Sequence, residues 1–416
     1  LLFATVDKFA QMTTKQAVKL FGAYEPNRRK PDLVIQDELH LISGPLGSIV
    51  GMFETMVEEL ATERNAKGES TRNPKIIAST ATTRNTVSLI KQLYNRDVLT
   101  FPVSGVRYSD NFFSKVQPAE DSKRLYMGLA PTGHTASELE IRTVAATLVA
   151  QEQLFVDFLN SLSPSIDLMD FSVVKSAIID NNALRTELDD YWSIVLYYNN
   201  LKSLGRSHSR IGQEIWAVSN HMRSYIMTYP TLKWILEGFQ HRTTEFTSRQ
   251  DNSRIKQLLI EAEARPPLGN RGKSISVKSS MDIIQATNMI SVGIDIARWN
   301  IIIMMGQPLT TAEYIQSSSR VGRTREGLIV NIYNPVMARE LSFYENYEAV
   351  HQFFYKYVEP LSVTTFTDMT IEKLLSNIYL CYMVLIKHRS CPNDVMPSDL
   401  QDLITLLTAR SSSIGS

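Results

Sequence analysis

Four clusters in this chain carry side chains suited to phosphate chemistry. The first, Asp37-Glu38-Leu39-His40, follows the apolar run Leu33-Val34-Ile35. A buried strand of a parallel sheet delivers such carboxylates to its carboxyl end, where ligands sit in open α/β sheets. One acid can hold magnesium through oxygen ligation shared with water. Its neighbour can orient and deprotonate a water for attack on phosphorus. The plain alternative is a charged turn capping the next helix. The second cluster, Ser79-Thr80-Ala81-Thr82, ends another apolar run and offers small hydroxyls to a neighbouring carboxylate. The third leads from Ala286-Thr287-Asn288 to Gly293-Ile294-Asp295, and the fourth is Gln316-Ser317-Ser318-Ser319-Arg320-Val321-Gly322-Arg323. Two arginines flanking a glycine can present planar guanidinium forks to phosphate oxygens. Taken singly, a Thr-Asn pair is a turn and an arginine pair a solvated face. The information lies in the order, with each cluster beside an expected strand.

Those strands follow from the apolar pattern. Leu1–Val6 reads as a strand end, Lys8–Phe21 as a helix and Asp32–Ile35 as a buried strand. A helical stretch around Ile49–Glu63 and a polar loop, Arg64–Pro74, precede a second buried strand, Lys75–Ala78. Alternation at this pitch predicts a parallel sheet, because parallel neighbours need a long crossover. Between Phe101 and Lys123 periodicity is lost, as in an interdomain passage. Thr135 and Glu138 have capping-box spacing, which predicts a helix running to about Leu162. A second series begins at Trp192–Tyr198 and continues through Ile275–Val277, Asp282–Thr287, Asn300–Met305 and Leu328–Ile332. Beyond Pro335 the chain reads helical. The expected fold class is α/β: one parallel-sheet unit over 1–123, a second over 124–340, and a helical segment over 341–416.

Composition narrows the function. Of 416 residues, 44% are hydrophobic and 21% charged, as in ordinary globular proteins. Lys plus Arg and Asp plus Glu each number 43, so bulk charge does not suit coating nucleic acid, although a local basic groove is compatible. Two cysteines, Cys381 and Cys391, cannot build a disulfide framework or a four-thiolate zinc site, and suit a reducing, cytoplasmic setting. The longest dense apolar stretch, Ile378–Ile386, is about half of the roughly 20 residues a bilayer span needs, so no membrane partner is expected. The seven histidines form no metal-binding pattern. The aromatic residues of Phe343–Tyr357 have helical spacing, which favours packing over base stacking.

Taken together, the clusters resemble the motifs of superfamily 2 DExH-type helicases. Asp37–His40 is similar to motif II, Ser79–Thr82 to motif III, Tyr197-Tyr198-Asn199-Asn200-Leu201 to motif IV, Thr287–Asp295 to motif V and Gln316–Arg323 to motif VI. More narrowly, three stretches resemble the large helicase subunit of the DISARM anti-phage defence system. They are Ala4–Ala10, the run Gln36–Gly51 with Leu41-Ile42-Ser43-Gly44-Pro45-Leu46-Gly47, and Arg124-Leu125-Tyr126. The resemblance implies two tandem RecA-like domains, with ATP and magnesium as cofactors. Asp37 would organise Mg2+ through water, Glu38 would act as general base, and His40 would couple the two lobes. Ser79, Thr80 and Thr82 would serve interdomain coupling. Gln316, Gly293 and Asp295 would lie at the nucleotide, with Arg320 and Arg323 reaching the γ-phosphate. Thr5, Thr287 and Arg249 would contact nucleic acid, DNA rather than RNA. A further defence subunit is an implied partner. At position 319 many family members have glycine where this chain has serine.

One family part is not found. The phosphate-binding loop ending Gly-Lys-Ser/Thr should precede motif II, yet the chain opens on Leu1 directly into strand-like sequence. Its look-alike, Gly269-Asn270-Arg271-Gly272-Lys273-Ser274, has Pro267 where the full pattern needs glycine, and lies between motifs IV and V; it reads as a flexible basic loop. The chain is therefore expected to be a fragment without hydrolytic activity of its own, taken from a helicase or translocase motor. The rival expectation is a non-hydrolysing helicase-like scaffold that binds DNA or a partner subunit.

Overall fold

The structure is a computed structural model. It describes residues 3, 5, 8, 29–42, 44–65, 67–80, 85–103, 105–106, 112–113, 115, 123–162, 190–226, 243–263, 268–271, 274–277, 282–290, 294, 296–389 and 392–415. The expected strand at Leu1–Val6 and helix at Lys8–Phe21 fall mostly outside them. Two compact units result, 1–114 with 358–416, and 115–357. The residues expected as a separate helical segment from 341 are thus shared between the two.

In the first unit, strands β1 (Leu33–Gln36) and β4 (Lys75–Ala78) pair in parallel, with Gln36 opposite Ala78. Between them come the helix Gly44–Ala61 and a small antiparallel ribbon, β2 (Glu63–Arg64) with β3 (Ser70–Arg72). Parallel pairing is as expected; burial is not. Ile35 is 66% exposed and Ile77 44%. Successive side chains leave opposite faces of a strand. Ile76 and Ala78 therefore meet the core of Leu39, Ile42, Val50, Leu89 and Leu93, while Ile35 and Ile77 point away.

The second unit is built on a six-stranded parallel sheet. Its strands are β5 (Arg124–Leu129), β6 (Ile194–Tyr198), β7 (Thr243–Phe246), β10 (Ile283–Ala286), β11 (Ile301–Met305) and β12 (Gly327–Ile332). They lie side by side in the order β5-β12-β11-β6-β10-β7. Central strands of such sheets are covered on both faces, which is why they read as continuous apolar runs. One face carries the helices Ala136–Leu162 and Leu201–Ile226 through Val144, Leu148, Leu204 and Ile211. The other carries Asn252–Glu263 and Thr311–Ser318 through Leu258, Ala262 and Tyr314. Half of the expected capping box is present: the Glu138 amide donates to the Thr135 hydroxyl at 3.2 Å, while the Glu138 carboxylate pairs with Arg142 and His134.

Two expectations change here. The strand expected at Ile275–Val277 does not join the parallel sheet: β9 (Ser274–Val277) pairs antiparallel with β8 (Leu268–Arg271) in a hairpin. The described residues of the loop expected over Gly269–Ser274 are thus in paired strands, whereas a phosphate-binding loop leads from a strand into a helix. Local apolar character does not distinguish a sheet strand from a hairpin strand. The phosphate-loop reading stays rejected.

Residues 358–416 return to the first unit. The helices Asp368–Cys381 and Pro397–Ile414 bring Leu374, Ile378, Cys381 and Leu403 against Met52, Met56 and Leu60. By length and composition Asp368–Ile386 is apolar enough to cross a bilayer, yet its buried residues here form a protein core. The strap before it explains two glycines. A Cβ on Gly47 would stand 2.5 Å from Val363, and one on Gly51 would stand 2.5 Å from Thr365. Their spacing of one helical turn puts both on the face the strap crosses.

Candidate functional site

Because β1 and β4 are parallel and in register, their carboxyl ends deliver motif II and motif III side by side. The Ser79 amide donates to the Gln36 carbonyl, and the Leu39 amide to the Ser79 carbonyl, each at 2.9 Å. Side chains repeat the pattern. Ser79 gives its hydroxyl proton to Asp37 Oδ1, which also accepts the Glu38 amide at 3.0 Å. The Ser79 hydroxyl first, and the amide second, hold the Asp37 carboxyl below its ordinary value, since both favour the ionised form. His40, buried, places Nδ1 at 3.2 Å from Thr80 Oγ1 and 3.4 Å from Glu38 Oε2. Glu38 itself has φ 52°, a left-handed conformation that costs a side-chain-bearing residue about 1–2 kcal/mol. Such strain, where packing enforces it, is a feature of functional sites. Thr80 thus meets the acidic motif, while Thr82 lies outside the described residues.

Magnesium needs oxygen ligands and keeps several waters. No group of three metal-ligating side chains converges among the described residues. Asp37, an exposed carboxylate held ionised, instead matches the single-carboxylate donor that suits a hydrated cation shared with phosphate.

In the second unit the expected residues fall on two edges of the sheet. Thr287 follows β10 and is buried; Arg249 follows β7 and is exposed. β7 and β10 are parallel neighbours, Phe246 opposite Ala286, so both positions lie at the carboxyl edge. Thr5, in the first unit, is exposed. Gln316 is buried in the helix that ends at Ser318, whose start is capped by the Thr310 hydroxyl accepting the Glu313 amide at 3.1 Å. Arg320 and Arg323 lie in the loop between this helix and the start of β12, towards the amino edge. Arg320 donates Nη1 to the Ile294 carbonyl at 2.9 Å, and the exposed Arg323 directs Nε to the Ser319 carbonyl at 3.4 Å. Gly293 and Asp295 lie outside the described residues. Ser319, where the family has glycine, adopts φ −75°, so no glycine is required.

Residues without an assigned role complete this loop. Arg124 donates to the carbonyls of Val321 and Ser319, and the Tyr126 hydroxyl lies 3.3 Å from that of Ser318. Tyr314, in the same helix, meets His351 Nε2 at 2.8 Å, while His351 Nδ1 meets the Tyr347 carbonyl at 2.7 Å. A carbonyl only accepts, so Nδ1 carries the proton and Nε2 accepts from Tyr314. The sequence does hold a signal for Arg124 and Tyr126, an i, i+2 pair within a family-like stretch. It lacks the buried apolar run that would announce a strand there.

Residues 270–325 match the helicase conserved C-terminal domain, a span that includes Thr287, Gln316, Arg320 and Arg323. Over 391 residues, 92% of this chain, the sequence is 32% identical to the DISARM protein DrmA of Bacillus paralicheniformis. The chain is a homologue of DrmA. It spans 31% of that relative's length. Among solved structures, the DUF1998 helicase MrfA bound to DNA is similar at a TM-score of 0.50 and 14% identity, covering 88% of this chain and 38% of that one. MrfA bound to DNA and AMPPNP gives 0.51 and 13%, covering 95% and 43%. These likenesses show the fold, an α/β architecture of RecA-like helicase type. The sequence matches are to helicase-family proteins, and the fold is of the same kind.

Proposed function

We propose that the protein carrying this chain is an ATP-dependent nucleic-acid helicase or translocase that acts on DNA in defence against phage. The observation that carries the reading is the interlock of Asp37 and His40 with Ser79 and Thr80, which aligns an acid pair at the carboxyl end of parallel strands. In this reading Asp37 holds Mg2+ through water, and the ion supplies charge neutralisation on the phosphates. Glu38 takes the proton of the attacking water. Arg320 and Arg323 stabilise charge on the transferring phosphoryl group, a task worth about 10³–10⁵ in rate in comparable nucleotide hydrolases. Gln316, Gly293 and Asp295 attend the nucleotide, and His40 and the hydroxyls of Ser79, Thr80 and Thr82 couple the site to movement. Thr5, Thr287 and Arg249 grip backbone phosphates, contacts that track a strand without reading bases. A further defence subunit as partner follows from the resemblance to the DISARM helicase subunit, and DNA as substrate is supported by the DNA bound to MrfA.

The test is nucleic-acid-stimulated ATP hydrolysis by the full-length natural protein, with duplex DNA, single-stranded DNA and RNA compared. Glu38→Gln is expected to lower kcat by at least about 10²-fold, a typical contribution of a positioned base, while nucleic-acid binding persists. Hydrolysis that survives in this variant removes the base assignment. Binding without any stimulated turnover in the wild type would instead support a scaffold.

A further inference from the structure

Arg124 and Tyr126 are alternate residues of β5, so their side chains leave one face of the strand. β5 pairs with β12 from Arg124 opposite Gly327, and the loop 319–326 feeds directly into β12. Arg124 donates Nε to the Val321 carbonyl at 2.8 Å and Nη2 to the Ser319 carbonyl at 3.3 Å. These two acceptors bracket Arg320, and Arg323 lies two residues beyond Val321. The stem of Arg124 closes the same turn: Gly322 has φ +68°, and a Cβ there would stand 2.9 Å from Arg124 Cγ. The neighbouring Lys123 carbonyl accepts the Gly327 amide at the end of the loop, while Tyr126 reaches Ser318 at its start. One strand thus fastens the loop at both ends and in the middle.

We infer that Arg124 is a positioning residue for the motif VI arginines, its guanidinium holding the 319–322 backbone in the form from which Arg320 and Arg323 meet phosphate. A guanidinium presents several N–H donors in a rigid plane, so it can serve two carbonyls at once; a lysine ammonium is a single compact charge on a flexible stem. Positioning matters because a misplacement of about 1 Å can cost roughly 10² in rate. The inference rests on the role proposed for Arg320 and Arg323.

The experiment measures kcat, KM for ATP and nucleic-acid affinity in the full-length protein, together with amide hydrogen exchange over 319–325. Arg124→Ala is expected to lower kcat about 10- to 100-fold, with KM and nucleic-acid Kd changed less than about threefold. Exchange over 319–325 should quicken while β11 and β12 stay protected. Arg124→Lys should restore little. In an Arg320→Ala/Arg323→Ala background the further loss from Arg124→Ala should be less than about twofold, since Arg124 acts through those two groups. Full additivity of the two losses marks a general structural role and overturns the inference. So does a kcat within about twofold of wild type for Arg124→Ala when Arg320→Ala and Arg323→Ala are crippled, an outcome that leaves the motor reading standing. If Arg320→Ala and Arg323→Ala are both fully active, that reading fails and Arg124 has nothing to position. Should Arg124→Ala not fold, Arg124→Lys, which keeps the stem against Gly322, is judged by the same measurements.

Discussion

His40 Nδ1 lies 3.2 Å from the Thr80 hydroxyl, and the residue before Thr80 gives its own hydroxyl proton to Asp37. Consecutive side chains at the end of one strand therefore hold two members of the acidic motif at the end of another. The pairing of β1 with β4 makes this unavoidable, because Gln36 and Ala78 are opposite each other and the chains leave the sheet together.

Ser79→Ala is expected to raise the Asp37 pKa towards the ordinary aspartate value, by removing the larger of the two bonds that hold it down. A depressed carboxyl contributes stability that is present above its unfolded value and lost as pH falls through its folded value. The variant should therefore lose part of this contribution at neutral pH and titrate at higher pH. Carbon-detected NMR of the Asp37 carboxyl checks it; an unchanged titration rejects the assigned cause.

Glu54 carries the opposite sign. Burial pushes its pKa up to about 7, Arg410 pulls it down and Glu58 adds to the rise. A raised acid contributes stability that is complete below the unfolded value near 4.5 and disappears as pH rises through about 7. Glu54→Gln should match the wild type near pH 4 and exceed it at pH 8, by at most about 3 kcal/mol. Thermal melts at the two pH values measure it, and equal gains at both would contradict the assignment.

Gly322→Ala should cost about 1–3 kcal/mol, because the left-handed backbone disfavours a side chain. The added methyl would also stand 3.1 Å from the Gly327 backbone, which cannot rotate away. Ser319→Gly, at a position with ordinary φ, should change stability by less than about 1.5 kcal/mol, the worth of the single hydrogen bond from Ser319 to the Gln316 carbonyl. Denaturant unfolding of the two variants gives the comparison.

If Arg249 meets a backbone phosphate as proposed, Arg249→Ala will weaken binding similarly across DNA sequences. It will also reduce the slope of log K against log salt by about one. A loss confined to particular sequences would assign Arg249 to base contact instead.

The central strands β6, β10, β11 and β12 are readable as apolar runs because both their faces are covered. β7, with the polar Thr243, Thr244 and Glu245, is not, and neither is β5, an edge strand whose Leu125 is 64% exposed. Exposed or polar strands are stabilised by pairing with a neighbour, and pairing leaves little trace in local composition. For the same reason apolar character alone puts Ile275–Val277 in the wrong sheet. Gly47 and Gly51 stand in a family-like run of the sequence, but their cause is a strap some three hundred residues further on.

Residue types along the chain are enough to nominate an acid pair after a strand and an arginine pair after a helix. Composition and order suffice for that, since side-chain chemistry belongs to each residue wherever the chain goes. Partnership does not follow from order. Hydrogen bonds act over about 3 Å, and only strand register and helix packing bring Ser79 to Asp37, Arg124 to the carbonyls around Arg320, and Val363 onto Gly47.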